Sequence, residues 1–251
     1  MTLKFSPKAH RYWLDGKPAP SVTGLLKGYP KPALVYWSAR TVAEYVADNR
    51  PAVEALYNAG RSPMVAALKE TPWQERDDKA ARGTEVHAIA ERIVHGERVD
   101  VPERIAGFLD GYVDWLDRFQ VKPLLTERSI GNREHWYCGR FDLIAEVMGT
   151  VWMLDVKTAK GVYGENAMQL DAYRNGQFYV DDDDPDTEKP LPEIDRLGVV
   201  HVQDGHTQLV PVRSDGQPFR VFLHAAYLAR RFDDVDAFVL PAIDTPLGVT
   251  A

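Results

Sequence analysis

Between Val151 and Lys157 the chain reads Val-Trp-Met-Leu-Asp-Val-Lys, an almost unbroken apolar run that ends in two opposite charges. Such a run, without polar alternation, predicts a strand buried on both faces. Tyr137 to Val147 predicts its hairpin partner, with Met148-Gly149-Thr150 as the turn, and Leu124 to Ile130 predicts a third strand antiparallel to that hairpin. Helical spacing dominates the residues before them. Pro32 opens a helical stretch to about Ala59, a short helix follows at 63–70, and Thr71-Pro72 reads as N-cap and first position of a helix to about Val94. Pro102 begins another to about Phe119, and residues 164–179 form a helix after the strands. At the ends, Leu3 to Val22 predicts a hairpin turning at Asp15-Gly16. Arg196–Gln203 and Gln208–Arg213 predict a second hairpin, closed by a helix over Pro218–Phe232, with an irregular tail from Pro241. Helix, three strands, helix, strand gives an α/β domain around a mixed sheet.

The charged end of the central strand is where chemistry is expected. Counted from the shared turn, Asp142 and Asp155 fall roughly opposite each other across the hairpin. Two carboxylates within about 4 Å repel by roughly 4 kcal/mol at an effective dielectric near 20, and a divalent cation removes that penalty. Hard oxygen donors select Mg²⁺ or Mn²⁺, which keep positions open for a substrate phosphate. Lys157 lies two residues beyond Asp155, so both side chains leave the strand on one face, where an ammonium can orient a nucleophile or stabilise a pentavalent phosphorane. An Asp-x-Lys at a strand end is more often a solvated edge or a surface ion pair, so Asp155 and Lys157 alone do not establish chemistry.

The neighbouring candidates divide in the same way. His87 is mid-helix beside the apolar stripe Val86, Ile89, Ala90 and Ile93, as suits either a core histidine or a ligand. Glu91, one turn on, is an acceptor for that imidazole or a solvated partner of Arg82 or Arg92. Gln169 and Tyr173, four apart, share one helix face, and Glu127 on the first predicted core strand reaches a metal or pairs at an edge. Cys138 reads as a small packed residue.

Taken in order, Gly83-x3-His87, Gly139-Arg140-Phe141-Asp142, Asp155-Val156-Lys157-Thr158 and Gln169-x3-Tyr173 resemble the motifs of PD-(D/E)XK nucleases of the RecB-like type, over roughly residues 82–180. The resemblance implies a restriction-endonuclease-like α/β (α+β) core, with a mixed central sheet flanked by helices and an N-terminal helical elaboration. It implies one nuclease domain over residues 1–251, in which 1–81 are a hairpin and helical prelude and 82–251 the core. It also implies that His87, Asp142, Asp155 and the Val156 carbonyl hold Mg²⁺ or Mn²⁺, that Asp142, Asp155 and Lys157 are catalytic, and that Gln169 and Tyr173 contact the substrate phosphate or brace the site. Glu127, Glu91 and Thr158 are secondary candidates. The relatives that carry an iron–sulfur cluster need four cysteines, and with Cys138 alone this chain holds no such cluster. Ser21-Val22-Thr23-Gly24-Leu25-Leu26 and Lys31-Pro32-Ala33-Leu34 resemble segments of phage-encoded members. That likeness points to a DNA exonuclease of recombination or repair, acting with a recombination or helicase partner. A structure- or sequence-directed endonuclease and a non-catalytic nucleic-acid binding module are the alternatives.

Charge modifies the picture only locally. The formal net charge of the 251 residues is −7, unfavourable for binding phosphates, but residues 1–40 hold Lys4, Lys8, Arg11, Lys17, Lys27, Lys31 and Arg40 against Asp15 alone. Tyr12, Trp13, Tyr29, Tyr36 and Trp37 are interleaved with them, as in a groove for unstacked bases or a basic face over packed aromatics. The acidic residues of 181–188 predict a solvated, mobile loop. One cysteine, the absence of any apolar run near eighteen residues and an N-terminus without a signal-peptide core lead to the expectation of a cytoplasmic protein without membrane insertion.

Overall fold

The computed structural model describes residues 2–7, 9 and 11–242. Its N-terminal strands β1 (Leu3–Ser6), β2 (Arg11–Leu14) and β3 (Lys17–Ala19) form an antiparallel sheet in that order, where a single hairpin was expected. The expected turn is present: Asp15 and Gly16 both have positive φ, 48° and 75°, the backbone that a two-residue hairpin turn requires. Ser21 then caps α1 (Val22–Leu25), its hydroxyl accepting from the Gly24 amide at 2.9 Å.

The helical prelude divides differently from the sequence expectation. The stretch from Pro32 breaks at Asn49 into α2 (Pro32–Asp48) and α3 (Arg50–Ala59), because Pro51 in the first turn of α3 cannot continue the preceding ladder. Conversely, no break occurs at Thr71-Pro72, and α4 runs from Arg61 to Val94. Pro72 is buried inside the helix, and the Thr71 hydroxyl, instead of capping a new helix, donates to the Ala67 carbonyl one turn back at 3.2 Å. Proline deletes one backbone donor, and the flanking turns bridge it.

After α5 (Ala106–Arg118) comes the main sheet, built from β4 (Lys122–Asn132), β5 (Tyr137–Val147), β6 (Thr150–Lys157), β7 (Phe178–Val180), β8 (Arg196–Gln203) and β9 (His206–Val212). Its order is β7-β4-β5-β6-β8-β9, antiparallel throughout except for the parallel pair β6 and β8. The β5–β6 turn is the two residues Met148 and Gly149, both at positive φ, and Thr150 already pairs with Val147. Helix α6 (Gly164–Arg174) stops five residues short of the expected end, since Asn175-Gly176 terminates it: the Asn175 amide side chain donates to the Asp171 carbonyl at 2.7 Å. The chain then enters β7. Helix α7 (Gln217–Ala229) closes the fold.

Apolar residues on the two faces of the sheet make two cores. On one, Phe141, Ile144, Met153, Leu197 and Val199 pack with α1, α6 and α7. On the other, Leu143, Ala145, Leu154, Val156 and Val200 pack with α4 and α5 around Trp115 and Tyr112. The small sheet covers the β4–β5 end through Leu3, Leu14, Cys138 and Phe178, and burial there pushes the Cys138 thiol up to about 12, as suits a packed residue. The protein is therefore a mixed α/β fold with helices on both faces of a six-stranded sheet. Among the described residues no helix is long and apolar enough to cross a membrane.

Candidate metal centre

Three adjacent strands carry an acid at the same level. Leu143 and Leu154 are the last paired residues of β5 and β6, so Asp142 and Asp155 face each other one step beyond. On the other side of β5, Thr126 pairs with Leu143 and Arg128 with Phe141, which sets Glu127 against Asp142. The pleat slips at this row. Phe141 and Ile144, three apart, pack on the same face, as do Leu125 and Ile130, whereas regular strands alternate strictly. Glu127 has φ 49°, a left-handed backbone that costs on the order of 1 kcal/mol or more for a residue with a Cβ.

This distortion delivers the carboxylates to α4. Ligand atoms of His87, Glu127 and Asp142 all lie within 4.8 Å of one another. His87 Nδ1 is 3.6 Å from Asp142 Oδ2, and its Nε2 meets the Val156 carbonyl. With Glu91, Tyr112 and Val156 they line a cavity of about 20 Å³, enough for one small sphere such as a cation. A hard divalent ion fits this set: an imidazole and two carboxylates converge beside a space of its size, which Val156 also lines. The electrostatics agree. Burial and the neighbouring Asp142 push the Glu127 carboxyl up to about 7, against the opposing Arg140. Asp155 is pushed up to about 6, by burial first and Asp142 after it, with Lys157 opposing. A cation would relieve both.

Asp155 does not join the triad. Its side chain is 1 % exposed and is held from below, Oδ1 accepting from Gln169 Nε2 at 3.0 Å and Oδ2 lying 2.6 Å from Lys157 Nζ. Gln169 Nε2 is also 3.1 Å from the Tyr173 hydroxyl, and both residues are buried. Of the two roles the resemblance implies for that pair, these bonds are those of a brace. Burial alone would lower the Lys157 pKa, but Asp155 and Asp142 more than offset it and keep the ammonium charged.

Two glycines of the motifs have steric reasons. A Cβ on Gly83 would stand 3.0 Å from Thr158 Oγ1, a tight contact that the hydroxyl must yield to where α4 passes the end of β6. On Gly139 it would stand 2.4 Å from Tyr173 Cε1, inside the ring that supports Gln169. Of the alternatives for Glu91, the arginines are engaged elsewhere, Arg92 holding Glu97 at 2.8 Å and Arg82 lying over Phe108, and Glu91 lines the cavity.

One expectation outside the site needs correction. The acidic segment is not a free loop: Asp181 binds Arg128 and Lys189, Asp182 binds Arg140, and Glu188 binds Arg133, because β7 brings the segment against the basic residues of β4 and β5. The basic, aromatic N-terminal segment is also partly structural. Tyr12 is buried and stacked on Phe5, and Lys31 pairs with Glu165 at 2.5 Å, while Tyr29 and Tyr36 remain exposed.

The chain matches no family model, and no curated protein matches it.

Proposed function

We propose that the chain is a divalent-metal-dependent deoxyribonuclease with a restriction-endonuclease-like core of the RecB-like PD-(D/E)XK type, acting as an exonuclease on DNA ends. The observation that carries this reading is the row Glu127, Asp142, Asp155 across β4, β5 and β6, with His87 over one end and a charged Lys157 at the other. A bound Mg²⁺ or Mn²⁺ would supply Lewis acidity toward a phosphodiester oxygen and a more acidic water. His87, Glu127, Asp142 and the Val156 carbonyl would hold it, and the imidazole in that set favours Mn²⁺.

The chain's own residues supply the rest. Lys157 Nζ, 2.6 Å from Asp155 Oδ2, has the part of stabilising the negative charge that grows on the phosphoryl oxygens. Asp155 fixes that ammonium, and Gln169 and Tyr173 fix Asp155. Water that adds to phosphorus gives up a proton to solvent, the P–O bond to the leaving nucleotide breaks, and the leaving oxygen takes up a proton from solvent in turn. The Lys31–Glu165 pair ties the start of α2 to the start of α6, so the helical prelude borders the site, where it could restrict access to strand ends.

The test is cleavage of a linear duplex, a single-stranded oligonucleotide and a closed circle, labelled at either end where ends exist, with Mg²⁺, Mn²⁺ or EDTA and Lys157→Ala as control. Metal-dependent loss of end label by the wild type alone is expected. Degradation of the circle would make it an endonuclease, and DNA binding without cleavage under any metal would make it a binding module.

A further inference from the structure

The unusual backbone of Glu127 is held from both sides by arginines. Arg128 Nη1 donates to the carbonyl of the preceding Thr126 at 2.6 Å, and the hydroxyl of Thr126 is bonded to His95 Nε2 at 2.8 Å. Arg140, beside the catalytic row on β5, donates from Nε to Glu127 Oε2 at 2.8 Å. Each arginine is gripped in turn from outside the sheet. Arg128 Nε donates to Asp181 at 2.5 Å, and the two terminal nitrogens of Arg140 form a fork on Asp182 at 2.7 and 2.8 Å. Strand β7 makes this possible: Val180 pairs with Ser129, and the next two residues are Asp181 and Asp182. One planar guanidinium therefore bridges an exposed carboxylate and a half-buried one, with all three of its nitrogens engaged.

We infer that Arg140, anchored by Asp182, is a positioning residue that sets the Glu127 carboxylate for a divalent cation, occupying Oε2 and leaving Oε1 as the ligand. The inference rests on the metal-centre reading above and deepens it, giving the start of the acidic segment a purpose that its composition does not suggest. Lysine could supply the charge but not the bridge, because a single ammonium has no fork to fix the plane of two carboxylates. Charge and geometry also pull in opposite directions. A cation next to a metal site weakens metal binding by repulsion, so if Arg140 acted only through its charge, removing it would tighten Mn²⁺ binding. If it positions Glu127, removing it loosens binding.

The experiment is Mn²⁺ titration of the full chain by calorimetry and by electron paramagnetic resonance, for wild type, Arg140→Lys, Arg140→Gln and Asp182→Asn, with thermal melts in EDTA. Loss of a group that orients a ligand lowers metal affinity about 10–100-fold in other sites, and a Kd raised about tenfold is expected for both Arg140 variants. Asp182→Asn, whose parent side chain is 61 % exposed, should weaken binding in the same direction, alter the bound-Mn²⁺ spectrum and lower the melt in EDTA by no more than the loss of an exposed ion pair does. Unchanged or tighter binding by Arg140→Lys and Asp182→Asn, or no Mn²⁺ binding by the wild type, overturns the inference. A wild type that binds Mn²⁺ and responds to these changes but cuts no DNA would instead overturn the nuclease proposal alone.

Discussion

The Val156 amide donates to Asp142 Oδ2 at 2.8 Å, just beyond Leu143–Leu154, the last pair of the β5–β6 ladder. A carboxylate thus takes the place of a strand carbonyl where β6 parts from β5 while still paired with β8. Its charge also burdens Glu127 and Asp155, both of whose carboxyls it pushes up. Asp142→Asn keeps an acceptor for Val156 and removes the charge. Without metal at pH 7.5 this variant should melt higher than wild type, by about 1 kcal/mol or about 2–4 °C. Asp142→Ala orphans the buried amide and should fall about 1–3 kcal/mol below Asp142→Asn. Neither should gain the stability from Mn²⁺ that is expected of wild type. Thermal melts in EDTA and in Mn²⁺ measure all three, and an Asp142→Asn variant less stable than wild type in EDTA would show that the acids do not repel.

The raised carboxyls of Glu127 and Asp155 give stability a pH dependence of definite sign. Their folded pKa values, about 7 and about 6, lie above the ordinary 4.5 and 3.8. The folded state therefore holds protons that the unfolded chain has released, and the associated stability is complete below pH 4 and lost as pH rises through 6 to 7. Asp15, Glu75, Asp181 and Asp182 are shifted the opposite way by their basic partners, so what they contribute is lost only at more acid pH, outside this window. In EDTA the melting temperature should decline between pH 5 and pH 7.5. The decline should be shallower in Glu127→Gln, and saturating Mn²⁺ should suppress it in the wild type. Parallel curves for the two proteins in EDTA would remove Glu127 from the account.

Lys157 is expected to separate catalysis from metal binding. Under the proposed function Lys157→Ala would remove a preorganised charge from the reacting phosphate, a change that costs about 10²–10³-fold in kcat, while His87, Glu127 and Asp142 would still hold Mn²⁺. It also leaves Asp155, 1 % exposed, with Gln169 as its remaining partner, which pushes its carboxyl further up. The variant should therefore lose more stability at pH 8 than at pH 5, and adding Asp155→Asn should recover most of that loss. Single-turnover cleavage, Mn²⁺ titration and denaturation at the two pH values provide the readouts. Loss of Mn²⁺ binding equal to the loss of activity would contradict the division of roles.

How far the site was legible follows from which interactions are local in sequence. The β5–β6 hairpin, the facing of Asp142 and Asp155, and the shared face of Gln169 and Tyr173 depend on turn length and helical period, which the residues display. Glu127 was legible as a candidate, but its place in the triad was not read, although the same counting about the turn between β4 and β5 sets it opposite Asp142. The Arg140–Asp182 fork was beyond reach, since it depends on β7 adding to the far edge of the sheet, and the pattern had been read as a continuing helix there. Helix ends were misplaced where proline and asparagine–glycine signals competed with periodicity: Pro51 and Asn175-Gly176 stopped helices, and Pro72 did not.

Gly139 and Tyr173 belong to motifs over thirty residues apart, yet the structure makes them a single steric unit that ends on Asp155. The ring of Tyr173 packs where a Gly139 side chain would be, with Cε1 2.4 Å from an ideal Cβ, and its hydroxyl bonds Gln169, which bonds Asp155. The ring is buried and Val22 Cγ2 lies 3.2 Å from the same Cβ position, so Gly139→Ala must displace the ring or the strand. Overpacking of this kind costs about 1–3 kcal/mol. Tyr173→Leu removes the clashing edge together with the hydroxyl, so the two changes should not add: the double variant should be more stable than the sum of the single losses predicts, by about 1 kcal/mol. Activity should behave otherwise, because the double variant relieves the clash without restoring the bond to Gln169, and it should cleave DNA no better than Tyr173→Leu alone. Urea denaturation of the four proteins with matched cleavage rates tests both halves. Additive stabilities would mean that the ring moves aside freely, and recovered activity would mean that the support of Asp155 does not pass through Tyr173.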